Sequence, residues 1–293
     1  MTFNLDQMEL EIVEPIEDDD CFLKIHNKYY YFKTIKISDE TYNELIAAKI
    51  AERLAIPHAS YYLGTYHGQQ GVLSELIDMK NFISFYDFIT EILKVKKEKP
   101  SDVQLINSYH ELENILYVES FHNLEDIWFF LSEKYDAKTV EKVMDDLVNI
   151  FLYDIIIANN DRHSGNIGFI RKDNTIEVAP IFDNENMLRK SSIEDGKYSF
   201  GIERNDILAQ IEGNPMNLFH KFIHYSASFY QDRLKEMVEV IRDDNIDQML
   251  KEIENEINEK ISEYQKEFIK ERFHNNYQNI KSYLKDIEIS RGK

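Results

Sequence analysis

A long apolar segment in the middle of the chain runs directly into a cluster of polar residues. Residues 139–158 carry valine, leucine, isoleucine and phenylalanine at helical spacing, which predicts a buried helix. Asp161 and Asn166 follow it in a D-x-x-x-x-N spacing, and a predicted hairpin over residues 167–182 then leads to Asp183. The hairpin could bring Asn166 and Asp183 to one rim, so these polar groups are expected at the edge of a buried core.

Asp161, Asn166 and Asp183 are the residue types that phosphoryl transfer requires. The reaction needs an acid that orients or accepts the proton of the attacking hydroxyl, and oxygen ligands that hold Mg²⁺ against the phosphates of ATP. Each residue alone is an ordinary turn former. The three together, at this spacing, favour a kinase-type site.

Length and composition are those of a globular protein with room for two lobes. The chain has 293 residues, of which 43% are hydrophobic and 30% charged. It contains no run of about 18 apolar residues, its first residues lack the basic segment of a secretory signal, and Cys21 is its single cysteine. We therefore expect a cytoplasmic protein without a membrane span or an internal disulfide.

The chain is strongly acidic. It has 54 acidic residues against 34 lysines and arginines, for a formal net charge of −20. A field of this sign repels nucleic acids and anionic membranes, so both are disfavoured as partners. It also repels ATP at long range, and an ATP site in this chain would depend on Mg²⁺ and a lysine placed nearby.

The pattern before residue 78 predicts a small sheet with one helix. Aromatic and β-branched runs indicate strands within 10–37, over 61–66 and over 71–77. A helix is expected over 41–55, because apolar residues keep one face there and Pro57 stops it.

The rest of the chain is predicted to be mostly helical, with helices over 81–95, 102–116 and 123–135 and again from 217 to the end. We therefore predict an α+β fold of the two-lobed protein-kinase type. The mainly β N-lobe, residues 1–78, would bind nucleotide. The helical C-lobe, residues 79–293, would hold the catalytic loop and the metal site.

A two-lobed kinase needs a lysine in its first lobe, and Lys33 lies on a predicted strand there. In kinases a strand lysine holds the α- and β-phosphates of ATP and pairs with a glutamate on the next helix, a position that Glu44 matches. Two simpler interpretations remain open. Lys33 could face solvent beside the neighbouring lysines, and Glu44 could close a capping box with Thr41 at the start of its helix.

Two stretches of the chain resemble the core motifs of the HipA-like serine/threonine kinases. They are IIIANNDRHSGNIGFI over 155–170 and APIFD over 179–183. The similarity is to the compact form of that family, which lacks an extra N-terminal subdomain. It includes Asn43-Glu44 at the head of a helix and LGTY over 63–66, and it extends over about residues 22–188.

The resemblance implies a role for each matching residue. Asp161 would be the catalytic base, and Asn166 and Asp183 would be the Mg²⁺ ligands. Lys33 would hold the ATP phosphates with Glu44 as its partner. The strand LSELI over 73–77 matches the family hinge, which implies that the backbone of Glu75 and Ile77 meets the adenine edge.

The resemblance also implies an activity and partners. The chain would transfer phosphate from ATP, with Mg²⁺, to a serine or threonine of a protein substrate, and would also phosphorylate itself. An antitoxin or another regulatory protein would be its partner.

One segment departs from the family pattern. The loop that covers the phosphates in the family should lie near residues 14–22, and such loops rely on glycine and free backbone N–H groups. This chain has EPIEDDD over 14–20, with no glycine and four consecutive carboxylates. Charge runs are usually solvated surface, and that is the first interpretation. A run that covered the nucleotide would repel phosphate.

Two other functions therefore stay open beside a protein kinase. Related two-lobed folds phosphorylate lipids and small molecules, and a fold does not fix the acceptor. The acidic run also leaves room for a catalytically silent nucleotide-binding module, or pseudokinase. The presence of Asp161, Asn166 and Asp183 together favours an active enzyme.

Overall fold

The computed structural model of the chain describes residues 2–16, 20–35, 41–78, 80–84, 87–88, 128, 131–159, 162, 166–188, 227–242 and 245–291. Several predicted features lie outside these residues. They include Asp161, residues 17–19 of the acidic run and most of the helices predicted between 85 and 130.

The N-terminal part is a six-stranded sheet with strand order β1-β5-β6-β4-β3-β2. Its strands are β1 (Thr2–Asn4), β2 (Leu10–Pro15), β3 (Cys21–Ile25), β4 (Lys28–Thr34), β5 (Tyr61–Tyr66) and β6 (Gln69–Glu75). All neighbours pair antiparallel except β1, which runs parallel to β5. The predicted strands are present, and the short β1 was not anticipated.

One helix, α1 (Asn43–Arg53), packs against this sheet and contacts β5. It buries Ile46, Ala47 and Ile50 completely, which is the apolar face that the sequence pattern indicated. The helix ends where Ala55 takes a left-handed φ of 54° and the Ile56 N–H bonds back to the Ala51 carbonyl at 2.9 Å.

Where the structure describes it, the C-terminal part combines four helices with a small sheet of order β7-β8-β9. The elements are β7 (Phe82–Ser84), α2 (Ala137–Ile157), β8 (Gly168–Lys172), β9 (Thr175–Val178), α3 (Ala227–Ile241), α4 (Ile246–Ile257) and α5 (Glu263–Arg291). The predicted hairpin over 167–182 is confirmed as β8 and β9, which pair antiparallel.

The helix predicted over 81–95 is wrong at its start, because residues 82–84 form strand β7. Phe82 and Ile83 pair with β8 instead of forming the first turn of a helix. Gly168 on β8 makes this pairing feasible, since an added Cβ there would collide with the ring of Phe82.

Helix α2 is the central helix of the core. The Asp136 side chain caps its start by accepting the Thr139 N–H at 3.0 Å. Most of its last ten residues are buried, and the Tyr153 hydroxyl donates to the Ala47 carbonyl of α1 at 2.8 Å. The helix closes on Ala158 in a left-handed conformation, and the polar motif begins directly after that.

Helix α5 packs against α2. The Asn276 amide donates to the carbonyls of Ile155 and Ile156 at 3.1 and 2.8 Å, where α2 runs out of helical partners. Ser262 caps α5 by accepting the Gln265 N–H at 3.2 Å. No helix in the described part of the chain is long and apolar enough to cross a membrane.

Candidate functional site

Lys33 points from β4 to two carboxylates of the C-terminal part. Its Nζ lies 3.3 Å from Asp183 Oδ1 and 2.8 Å from Glu185 Oε1. Burial disfavours the charge, but the two carboxylates outweigh it and raise the pKa of Lys33 above its ordinary value. The interpretation of Lys33 as a solvent-facing strand residue is wrong, because its side chain is 33% exposed and paired.

Asp183 follows a short segment that connects the two parts of the fold. Residue 181 bridges to His58, and its N–H bonds to the Pro57 carbonyl at 2.8 Å. Asp183 has a left-handed φ of 56°, and its N–H donates to the Tyr61 hydroxyl at 3.1 Å. Such a backbone costs energy for a residue other than glycine, and it directs the carboxylate toward Lys33.

Glu44 is buried at the start of α1 and binds backbone. Its two carboxylate oxygens accept the Asn184 N–H at 2.9 and 3.0 Å. The pKa of Glu44 is raised to about 7, first by burial and then by the nearby charges of Asp183 and Glu185, while the hydrogen bond from the Asn184 N–H opposes this rise.

Neither contact predicted for Glu44 is formed. The helix begins at Asn43 after Tyr42, and no side chain caps it, so the capping box is wrong. No ion pair joins Glu44 to Lys33 either, since Lys33 pairs with the residues after β9. The physical reason is that the Asn184 N–H would otherwise be a buried donor without a partner, and Glu44 supplies its acceptor.

Arg162 is a buried guanidinium that the sequence analysis missed. Its Nε and Nη2 contact the Asp154 carboxylate at 3.0 and 2.9 Å. Its Nη1 donates to the carbonyls of Asn166 and Phe182 at 3.0 and 2.8 Å. Burial opposes its charge, but Asp154 more than compensates and raises the pKa of Arg162 above its ordinary value.

The signal for Arg162 was present in the sequence. Asp154 is an acid near the end of an otherwise apolar helix, and a buried carboxylate needs a cationic partner. Arg162 is the next basic residue along the chain. This pair therefore fixes Arg162 to the helix that precedes it.

Asn166 and Asp183 are drawn together by this guanidinium. The same nitrogen of Arg162 holds the carbonyl of Asn166 and the carbonyl of Phe182, which directly precedes Asp183. Asn166 is buried, and Asp183 is 31% exposed. Their side chains offer amide and carboxylate oxygens, the donors that Mg²⁺ prefers, so the residues present fit that ion.

The segment after Asp183, which we call the Asp183–Leu188 turn, is held by hydrogen bonds to other elements of the fold. The Asn184 N–H bonds to Glu44, as described. The Asn43 amide donates to the Glu185 carbonyl at 2.6 Å and to the Met187 carbonyl at 3.2 Å.

The end of the Asp183–Leu188 turn is held by two further helices. The Leu188 N–H donates to the Ile157 carbonyl at the end of α2, at 3.0 Å. The Leu188 carbonyl accepts Arg272 of α5 at 2.6 Å, and that guanidinium also stacks on Phe268. The turn is therefore bonded to α1, α2 and α5 together.

The two hinge residues lie at the end of β6. The Glu75 N–H donates to the Ser60 carbonyl at 3.0 Å, and its side chain pairs with Lys28 at 2.7 Å. The Ile77 N–H makes no hydrogen bond to any residue that the structure describes. It is the backbone donor expected at an adenine edge, and the roles of both residues stay predictions.

Asp20, the last acid of the acidic run, is not solvated. It is buried, and its carboxylate accepts the Thr34 N–H at 2.7 Å, the Thr34 hydroxyl and the Tyr31 hydroxyl. Burial, together with Asp20, raises the pKa of Tyr31 to about 12. The interpretation of the run as solvated surface is therefore wrong at Asp20, because the carboxylate closes the bend onto β4.

Three comparisons with known proteins bear on this site. The model of the HipA-like C-terminal domain family matches residues 13–261. The serine/threonine-protein kinase CtkA of Helicobacter pylori is 26% identical over 155 residues, which is 52% of this chain and 41% of that protein. The matched part thus spans less than half the length of this relative.

Two solved structures align with this chain. The crystal structure of the Helicobacter pylori proinflammatory kinase CtkA aligns over 98% of this chain and 99% of that chain, with a TM-score of 0.61 and 16% identity. The HipA of Shewanella oneidensis MR-1, solved with HipB and operator DNA, aligns over 87% of this chain and 58% of that chain, with a TM-score of 0.49 and 14% identity. The first likeness confirms the predicted α+β, kinase-like fold.

Proposed function

Because this chain belongs to the HipA-like C-terminal domain family, we propose that it is an ATP- and Mg²⁺-dependent kinase. It transfers the γ-phosphoryl group to a serine or threonine hydroxyl of a protein. The observation that carries the proposal is the meeting of Lys33 and Asp183, which are 150 residues apart and lie 3.3 Å from each other. A phosphate-binding cation thus faces a metal-binding carboxylate between a sheet and a helical part.

Asn166 and Asp183 would hold Mg²⁺, and Lys33 would neutralise charge on the ATP phosphates. When bound, Mg²⁺ supplies charge compensation for the phosphates. The raised pKa of Lys33 keeps its amine charged at neutral pH. These groups act by positioning and electrostatics, which is where most of the catalysis of phosphoryl transfer comes from.

Asp161 would orient the acceptor hydroxyl and take its proton. This assignment comes from the sequence motif. It is supported by Arg162, the next residue, which is buried and bonded to Asp154 and to the Asn166 carbonyl. The backbone of Glu75 and Ile77 would meet the adenine, with the Ile77 N–H as donor.

The acceptor and the partners belong to the proposal as well. The curated relative is named a serine/threonine-protein kinase, which supports a protein hydroxyl as the acceptor. Self-phosphorylation is proposed as a second activity. A regulatory protein, such as an antitoxin, is the proposed partner. A lipid or small-molecule kinase and a silent nucleotide-binding module are the alternatives that the experiment separates.

The test is phosphotransfer from γ-labelled ATP with Mg²⁺, using the purified chain alone and with a cell lysate. We expect label on serine or threonine, and Asp161→Asn should lower the rate by roughly 10² to 10⁴ while nucleotide still binds. Label confined to the lipid or metabolite fraction would replace the proposal with the rival enzyme. Nucleotide binding without any transfer would make the chain a pseudokinase.

A further inference from the structure

We infer that Glu185 is the carboxylate that positions Lys33, in the place where a kinase of this fold uses a glutamate on the first helix. The inference rests on the proposed function, since Lys33 is positioned there for the ATP phosphates. Glu185 stands two residues after Asp183, in the Asp183–Leu188 turn. Glu44 then has a different task, which is to hold the backbone of that turn.

The distances favour Glu185 as the main counter-charge. Glu185 Oε1 lies 2.8 Å from Lys33 Nζ, whereas Asp183 Oδ1 lies 3.3 Å away. The side chains of Lys33 and Glu185 are 33% and 32% exposed. A pair that is two-thirds shielded from water keeps more of its attraction than a surface pair does.

The backbone of Glu185 is fixed, so its carboxylate starts from a defined place. The Asn43 amide, on the first residue of α1, donates to the Glu185 carbonyl at 2.6 Å. The next contact of the same amide is the Met187 carbonyl at 3.2 Å. Helix α1 therefore controls the lysine indirectly, through the turn that carries Glu185.

Lys33 needs a partner other than Asp183 during the reaction. A carboxylate that binds a metal ion is no longer a full counter-charge for a lysine. Among the described residues, Glu185 is the other acid within ion-pair distance of Lys33. It can hold the amine while Asp183 is occupied.

Glu44 cannot replace it without breaking contacts of its own. Both of its carboxylate oxygens accept the Asn184 N–H, and the side chain is buried. Turning Glu44 toward Lys33 would leave that N–H as an unpaired buried donor, which is unfavourable. The two glutamates thus have separate roles, one on the backbone and one on the lysine.

A double-mutant cycle tests the inference. Glu185→Gln, Lys33→Met and the double variant are compared for the rate of phosphotransfer from MgATP and for thermal stability. We expect Glu185→Gln to lower kcat/KM for ATP by about tenfold or more, with little further loss when it is added to Lys33→Met. Glu52→Gln is the matched control, because Glu52 pairs with Lys49 at 3.0 Å on the exposed face of α1 and should change nothing.

The outcomes separate this inference from the proposed function. Wild-type activity in Glu185→Gln, or tighter ATP binding and faster transfer, would overturn the positioning role. If Lys33→Met were non-additive with Glu44→Gln but additive with Glu185→Gln, the residue that positions Lys33 would be Glu44, on the helix, and not Glu185. A wild-type chain that neither binds MgATP nor transfers phosphate would sink the proposed function, while the stability cycle would still show whether Lys33 and Glu185 are coupled.

Discussion

Two acidic turns approach Lys33 and its strand, and the fold secures them in different ways. The Asp183–Leu188 turn is bonded to α1, α2, α5 and Arg162. The bend between β2 and β3 closes with the Ile16 N–H on the Asp20 carbonyl at 2.7 Å, and the Asp20 carboxylate binds the adjacent strand. The turn that would hold metal is therefore set by tertiary contacts from several elements. The bend between β2 and β3 is held by contacts within its own sheet.

This difference indicates in which of the two segments a substitution will disturb distant parts of the structure and in which its effect will stay local. A change in a turn bonded to several helices is transmitted to the core, because its partners Glu44, Asn43 and Arg162 are buried and would lose hydrogen bonds. A bend fixed by one carboxylate can change its conformation while the rest of the sheet stays paired.

The largest effect is expected from Arg162→Ala. The change leaves Asp154 as a buried charge without its partner and releases the carbonyls of Asn166 and Phe182. We expect a loss of about 3–5 kcal/mol of unfolding free energy in urea. Arg233→Ala is the matched control, since Arg233 pairs at 2.9 Å with an exposed aspartate and should cost about 1 kcal/mol or less. Equal losses would mean that Arg162 does not anchor the turn.

The next effect is on metal-dependent binding. Asp183→Asn keeps a residue that tolerates the left-handed backbone but removes the charge. We expect the Mg²⁺-dependent part of ATP affinity, measured by calorimetry, to fall by about tenfold or more. Asp173→Asn is the control, because Asp173 has a similar φ of 49° in the exposed β8–β9 turn. An unchanged Mg²⁺ dependence would remove Asp183 from the metal site.

A smaller effect concerns pH and the contact of Glu44 with the turn. The pKa of Glu44 is about 7 in the fold, above its ordinary value of 4.5. The folded state therefore holds this proton more tightly, so its stabilising contribution is complete at acid pH and is lost as pH rises toward and through 7. Between about pH 4.5 and 7, the wild type should lose stability relative to Glu44→Gln by at most about 1.4 kcal/mol per pH unit. Parallel urea midpoints for the two proteins would show that Glu44 does not titrate in this range.

The smallest effect is expected from the acidic residues before Asp20. Replacing residues 17–19 by Gly, Ser and Gly should change calorimetric MgATP affinity by less than about threefold, because solvated charges are screened. Asp20→Ala should instead cost about 1–2 kcal/mol of stability, through the lost bonds to Thr34 and Tyr31. A tenfold gain in affinity on neutralising 17–19 would show that the run acts on the nucleotide.

The sequence predicted the elements that local patterns determine. The helix over 139–158, the hairpin over 167–182 and the strand that carries Lys33 all follow from periodicity, and the structure contains them. The resemblance to the HipA-like kinases is confirmed by the family match.

What sequence reasoning could not supply are contacts between distant segments. The partners of Glu44 and Lys33 lie 140 and 150 residues away, in an irregular turn without a hydrophobic pattern. Strand β7 was missed because its pairing depends on Gly168, far along the chain. The contact between Arg162 and Asp154 was also missed, but the sequence did contain a signal for it. An acid in an apolar helix, eight residues before Arg162, indicates that a cationic partner is needed.

Helix α5 gives a practical consequence for where this unit ends. The family match stops at residue 261, and α5 begins after it. Yet Arg272 and Asn276 on α5 hold the Leu188 carbonyl and the last carbonyls of α2. A polypeptide that ended at residue 261 would keep every residue of the candidate site. It would lose Arg272 and Asn276, which bind the Asp183–Leu188 turn and the end of α2. The family match therefore ends before helix α5, whose side chains help to hold the site in place.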